Sequence, residues 1–193
     1  MAREVYISTD IEADGPIPGP HSMLSFGSVA FDDEGNEVGC FSRNLATLPG
    51  AQGHPDTMKW WGTQSAAWET CRIDPEPPAT AMAAYVTWLD SLTGKPVFVG
   101  YPVAFDFLFM HWYLHYFTGG SPFSPAALDM KTLAMTLLDE PYRYRAATKR
   151  NMPRRWFPPS IHNHVAIDDA REQGLMFVAM MAELRLRFRN HSA

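Results

Sequence analysis

Short apolar runs separated by turn-forming residues dominate the first quarter of the chain. Their alternation predicts three strands over residues 5–9, 24–31 and 37–46. The polar run 32–36 (DDEGN) between the last two is typical of a tight turn. Because the connections are short, we expect these strands to form an antiparallel meander.

Helical spacing of apolar residues prevails from residue 55 onwards. Asp56 is a plausible N-cap for a helix that continues through Trp68. A strand that starts at residue 97 is expected to run directly into a helix. The remaining elements are a helix over 79–92, the strand over 97–101 and its helix over 103–117, a short strand leading into a helix over 126–138, and a long amphipathic helix over 165–188. Strands followed by alternating helices and strands predict an α/β fold with a mixed sheet.

The length of 193 residues favours one domain spanning residues 1–193. Hydrophobic residues make up 46% of the chain, enough for a substantial core. No apolar run of signal-peptide length occurs near the first residue, so we expect a cytoplasmic protein. The most apolar stretch, 97–117, is interrupted by Pro102, Asp106, His111 and His115, and this excludes a membrane span.

Charge is distributed unevenly along the chain. The formal net charge of −5 argues against non-specific binding of polyanions. A long loop over about 139–163 has the opposite character, because residues 141–167 contain no acid. The basic residues of that stretch are Arg143, Arg145, Lys149, Arg150, Arg154 and Arg155, interleaved with Tyr142, Tyr144, Trp156 and Phe157. This local composition is typical of a surface that binds nucleic acid.

Carboxylates cluster at the predicted ends of strands. Asp10 and Glu12 are two residues apart, so a strand directs both to one side, where they could share a hard cation. Asp106 lies between Phe105 and Phe107 just after the fourth strand. A carboxylate in such surroundings needs a partner, which could be an arginine, a helix N-terminus or a metal.

A histidine and a carboxylate stand where the last helix begins. His164 and Asp169 have a spacing that can place both at the same helix end. His162 with Asp168 is the rival pair. Elsewhere, His111 and His115 have the i,i+4 spacing of a zinc protease motif, but Trp112 occupies the position of the general-base glutamate.

Four carboxylates and one histidine, taken in their order along the chain, form an ordered set that resembles the DEDDh 3′→5′ exonucleases of the ribonuclease-H-like superfamily. The residues that carry the resemblance are Asp10-Ile-Glu12, Asp106 in GYPVAFDF, and His164 with Asp169 in HNHVAIDDA. The segments HPDTMKWW and DMKTLA are most similar to bacterial ribonuclease-T-like exoribonucleases. The extended basic loop before His164 departs from that pattern.

The resemblance implies a ribonuclease-H-like three-layer α/β/α fold, with a mixed five-stranded sheet of three antiparallel strands followed by two parallel ones. It implies two Mg²⁺ ions per site, with Mn²⁺ as a substitute, held by four carboxylates. Asp10 would bridge both ions, Glu12 and Asp169 would complete the site that activates water, and Asp106 would support the second ion. His164 would accept the proton of the attacking water. The family spacing selects His164 with Asp169 and leaves His162 either as a residue that supports the site from behind or as a substrate contact.

The implied reaction releases nucleoside 5′-monophosphates from RNA 3′ ends. Alternatives are a 3′→5′ exodeoxyribonuclease, a ribonuclease-H-type endonuclease and a non-catalytic nucleic-acid-binding module. Expected partners are RNA, or single-stranded or 3′-overhang nucleic acid, and a second copy in a homodimer. Further candidate substrate contacts are Met23, Phe105, Trp60, Arg150, Arg154 and Arg155, with core packing as the other interpretation of Met23, Phe105 and Trp60.

Overall fold

A computed structural model describes residues 3–138, 147–159 and 163–191. Within these ranges five strands form one mixed sheet in the order β3-β2-β1-β4-β5. The strands are β1 (Glu4–Ala13), β2 (Met23–Phe31), β3 (Glu37–Asn44), β4 (Lys95–Gly100) and β5 (Leu128–Asp129). The first three pair antiparallel, whereas β4 is parallel to β1 and β5 is parallel to β4. The predicted fold and strand directions are thus confirmed.

Helices cover both faces of this sheet. They are α1 (Pro55–Trp61), α2 (Ser65–Cys71), α3 (Pro78–Ser91), α4 (Val103–Thr118), α5 (Met130–Leu137) and α6 (Ala166–His191). One core joins α3 and α4 to β1, for example at Tyr85, Phe109 and Ile7. A second core on the other face joins α5 and α6, where Met130 and Phe177 are buried. No helix in the described part of the chain is long and apolar enough to cross a membrane.

The first helix differs in two details from the sequence-based expectation. The helix predicted to run through Trp68 is two helices, because α1 ends at Trp61 and Gly62 follows as its C-cap. Glycine is a poor helix former, which accounts for the break. The N-cap of α1 is His54 rather than Asp56, and Pro55 opens the helix, a position where proline's missing N–H costs nothing.

Close packing of α6 on the sheet depends on Gly27 in β2. A Cβ atom at this position would overlap the backbone of Ala166 and Ile167 at the start of α6. Gly27 pairs directly with Asp10 across the antiparallel β1–β2 ladder. The missing side chain therefore lets the first turn of α6 approach the strand that carries Asp10.

Candidate active site

The acidic half of the site is built on the central strand. Along β1, the ring of Tyr6 contacts that of Phe177 on α6, with centroids 5.1 Å apart, so the even-numbered side chains face α6. Asp10 and Glu12 have the same parity and point to that side, as their spacing predicts. Because β1 continues to Ala13, both residues lie within paired strand, where the ladder fixes their directions.

Asp106 reaches the same place from the neighbouring strand. It lies in the first turn of α4, directly after β4, which runs parallel to β1. Its Oδ1 accepts a hydrogen bond of 3.3 Å from the backbone N–H of Ile11, between the two β1 carboxylates. Parallel strand ends thus bring Asp106 beside Asp10 and Glu12, although some 95 residues separate them in the chain.

The start of α6 supplies the histidine and the fourth carboxylate. Asp169 is buried in the first turn, and His164 precedes the helix in a left-handed conformation with φ of 56°. Ligand atoms of Glu12, His164 and Asp169 all lie within 4.8 Å of one another. His164 Nδ1 is 3.9 Å from Glu12 Oε1, and the histidine side chain is 30% exposed.

Asn163 and Asp168 hold this turn in place. The side chain of Asn163 accepts a 3.0 Å bond from Val165 N–H and donates a 2.9 Å bond to Asp168 Oδ2. Asp168 is therefore engaged with the turn, whereas Asp169 faces the cavity. The sequence alone assigns neither supporting role, although an asparagine just before a helix is a known signal for such a turn.

All five residues of the ordered set line one open cavity of about 200 Å³, together with Ile11, Tyr101, Pro102 and Phe105. Burial raises the pKa of Asp10 to about 8; Asp169 adds to this rise and Lys149 opposes it. Burial, reinforced by Asp10 and Asp169, raises the pKa of Glu12 to about 9. The pKa of Asp106 is likewise raised by burial and by the charge of Asp10.

Four carboxylates that disfavour each other's charge fit a site for divalent cations. A bound cation would replace the protons that the raised pKa values of Asp10, Glu12 and Asp106 favour. The donor set consists of carboxylate oxygens beside one imidazole, a composition that hard ions such as Mg²⁺ and Mn²⁺ prefer. Asp10, Glu12, Asp106 and Asp169 are the residues that would hold them.

Of the predicted substrate contacts, Phe105 lines this cavity and Trp60 contacts a residue that lines it. Phe105 lines it with 38% of its surface exposed. Trp60, also 38% exposed, meets the ring of His164 edge to face at 5.0 Å. Met23, in contrast, is fully buried in the core and does not line the cavity. Of its two interpretations, core packing is therefore the one that the structure supports.

The basic candidates lie on two single 3₁₀ turns, Lys149–Asn151 and Arg154–Trp156. Arg150 and Arg154 line a separate cavity, whereas the Arg155 guanidinium donates two 3.0 Å hydrogen bonds to Glu183. His162 lies outside the described residues, as do Arg143 and Arg145. The rings of His111 and His115 lie 4.4 Å apart on α4, and no third metal ligand joins them among the described residues.

The sequence of the chain is similar to that of a known exonuclease. No family model matches the chain. The chain is 29% identical over 180 residues to a 3′→5′ DNA exonuclease, Cap18, of Escherichia coli, covering 91% of this chain and 90% of that protein.

Solved structures share the fold. The nuclease domain of 3′hExo, a DEDDh family member bound to rAMP, superposes with a TM-score of 0.66 at 10% identity, covering 94% of this chain and 92% of that one. Escherichia coli exonuclease I in a complex with single-stranded DNA gives 0.64 at 15% identity; 95% of this chain matches only 41% of that longer chain. The chain is thus similar in sequence to a 3′→5′ exonuclease and in fold to a DEDDh family member, which agrees with the resemblance that its ordered carboxylates and histidine carry.

Proposed function

We propose that this protein is a two-metal-ion 3′→5′ exonuclease that removes nucleoside 5′-monophosphates one at a time from single-stranded nucleic acid. The observation that carries the proposal is the single cavity lined by four carboxylates and His164. When bound, two divalent cations would supply an activated water and would stabilise the charge on the leaving oxygen. The protein's own part is to hold the metals, orient the strand and move a proton.

His164 is the proposed general base. Its ring borders the carboxylate cavity, and it is partly exposed, so it can both contact a water in the cavity and pass a proton to solvent. Asn163 and Trp60 hold the ring from two sides, one through the backbone turn and the other through a ring contact. Phe105, on the cavity wall, is placed to stack on the terminal base.

DNA is the substrate we favour. The sequence favours RNA through its resemblance to ribonuclease-T-like enzymes, and that branch of the family stays a prediction. The relative that matches nearly the whole chain is described as a DNA exonuclease, and this supports DNA. RNA is the second candidate. A cytoplasmic location, a homodimer and a single domain over 1–193 also stay predictions from the sequence.

The decisive assay offers purified protein and Mg²⁺ a 5′-labelled single-stranded DNA and an RNA of the same sequence. We expect a ladder of shortened products from the DNA, released as 5′-monophosphates, and no cutting of a circular single strand. Asp10→Asn should abolish the ladder, whereas Asp90→Asn, an exposed residue of α3, serves as the matched control. Cleavage of the circle would favour the endonuclease alternative. A ladder from RNA alone would reverse the substrate preference.

A further inference from the structure

A second cavity of about 270 Å³ lies in the basic loop. We call it the basic cavity; it is lined by Lys149, Arg150, Met152, Arg154 and Phe157. Arg150 and Arg154 are exposed, and neither forms an ion pair with another described residue. Three cations around an aromatic ring and a thioether can accept a phosphate and an adjoining base together.

Lys149 connects the basic cavity with the carboxylate cavity. Its Nζ lies 5.9 Å from the ring centroid of Tyr101, a residue that lines the carboxylate cavity. The hydroxyl of Tyr101 donates a 2.8 Å bond to the carbonyl of Ala147, which ties the loop to the end of β4. The charge of Lys149 also opposes the rise in the pKa of Asp10. A cation of the basic cavity therefore lies beside Tyr101, a wall residue of the carboxylate cavity.

Glu172 fixes the direction of this cation. It lies on α6 close to one turn after Asp169, and its Oε1 accepts a 3.2 Å bond from Lys149 Nζ. The carboxylate is nearly buried, and its other oxygen has no hydrogen-bond partner among the described residues. A buried counter-ion orients the ammonium group, so Lys149 is held near Tyr101 and does not move freely in solvent.

Arg155 differs from its neighbours. Both its Nε and Nη2 donate to Glu183, and the indole of Trp156 donates to the same carboxylate at 2.7 Å. This arrangement uses the guanidinium to attach the loop to α6. The free cationic surface of the described loop is thus concentrated around the basic cavity.

We propose, as an extension that rests on the proposed function, that the basic cavity binds the strand on the 5′ side of the bond being cut. Lys149 contacts the first phosphate beyond the scissile one, Arg150 and Arg154 surround that phosphate, and Phe157 packs against the attached base. The ligand is a phosphodiester-linked nucleotide, so a substrate that ends at the scissile phosphate does not reach this site.

Two substrates separate this proposal from the proposed function. The p-nitrophenyl ester of a nucleoside 5′-monophosphate carries the reacting phosphate alone, whereas a single-stranded DNA oligonucleotide carries further phosphates. Arg154→Gln and the double variant Lys149→Gln/Glu172→Gln, which removes the pair without leaving a lone buried charge, are compared with the wild type. Arg3→Gln removes a charge that is paired with Glu34 at the far end of β1 and serves as the control.

We expect KM for the oligonucleotide to rise about 10-fold in both variants, with turnover of the ester unchanged. The slope of log affinity against log salt should fall by about 0.7 for each lost phosphate contact. Unchanged kinetics with both substrates, or an equal loss with both, would overturn the proposal. If the wild type hydrolyses neither substrate, the proposed function fails. Binding of labelled single-stranded DNA, followed by fluorescence anisotropy, then still decides whether the basic cavity holds the strand.

Discussion

The ring of Trp60 meets the ring of His164 edge to face, with centroids 5.0 Å apart and planes at 90°. Trp60 in turn contacts Trp61 at 4.8 Å, and the indole N–H of Trp61 donates to the Ala13 carbonyl at the end of β1. The proposed general base is thus connected through two aromatic residues to the strand that carries Asp10 and Glu12.

Loss of the Trp60 ring should therefore slow catalysis. An aromatic contact of this kind contributes about 0.5–1.5 kcal/mol, so Trp60→Leu should lower kcat by about 2- to 12-fold. Trp60→Phe keeps an aromatic ring and should recover much of the loss. Turnover of the nucleotide ester is the appropriate readout, because it reports on the reacting centre. Wild-type kcat in Trp60→Leu would show that the contact does not position His164.

Loss of the His164 side chain should lower kcat far more than loss of the Trp60 ring beside it. General base catalysis contributes about 10²- to 10⁴-fold, and His164→Ala should lose that much in kcat while it still binds divalent metal. His115→Ala, an exposed histidine on α4, should retain wild-type activity. His162→Ala is the informative comparison. An inactive His162→Ala beside an active His164→Ala would transfer the base to His162.

Position 27 should not tolerate even a small side chain. The methyl group of Gly27→Ala would push against the backbone of Ala166 and Ile167, so we expect the free energy of unfolding to fall by about 1–3 kcal/mol. Because Asp169 moves with α6, activity should fall as well. Gly120→Ala is the control, since a Cβ there meets no atom within 4 Å. Equal stability and activity of the two variants would contradict the close packing of α6 on β2.

The metal-free protein should become less stable as pH rises. Asp10 and Glu12 have pKa values of about 8 and about 9 in the folded chain, against about 4 when unfolded. Between these limits the folded state holds more protons than the unfolded state, so the free energy of unfolding falls as pH increases from about 4 to 8. Thermal unfolding in the presence of a chelator would measure this slope.

Two observations would check the cause of that slope. Glu12→Gln should flatten it, because the amide does not titrate. Mg²⁺ should stabilise the wild type more at pH 8 than at pH 5, since fewer protons must then be displaced. A metal-free stability that climbs steadily through this range in the wild type would contradict raised carboxyl pKa values.

Much of the fold follows from local sequence patterns. The apolar run along β2 and the turn 32–36 specify a hairpin, and the apolar run before Pro102 specifies a buried strand followed by a helix. The length of β1 was underestimated, because its last residues are acidic and do not resemble a strand. Pairing with β2 extends the strand through Glu12, opposite Ser25.

Local patterns say less about how the site is assembled. The two-residue period places Asp10 and Glu12 on one face. The order of motifs in the family that the sequence resembles adds Asp106, His164 and Asp169. The contacts of Trp60 with His164 and of Lys149 with Glu172 join segments far apart in the chain and leave no local signal. They arise from the packing of α1, α6 and the basic loop around the strand ends, which no spacing rule encodes.

Anomalous diffraction from crystals of the protein soaked with Mn²⁺ and a nucleoside 5′-monophosphate tests the central claim most directly. We expect two peaks about 4 Å apart in the carboxylate cavity, ligated by Asp10, Glu12, Asp106 and Asp169, with the phosphate of the nucleotide between them and His164. An empty cavity at saturating Mn²⁺, or Mn²⁺ bound only elsewhere on the protein, would contradict it.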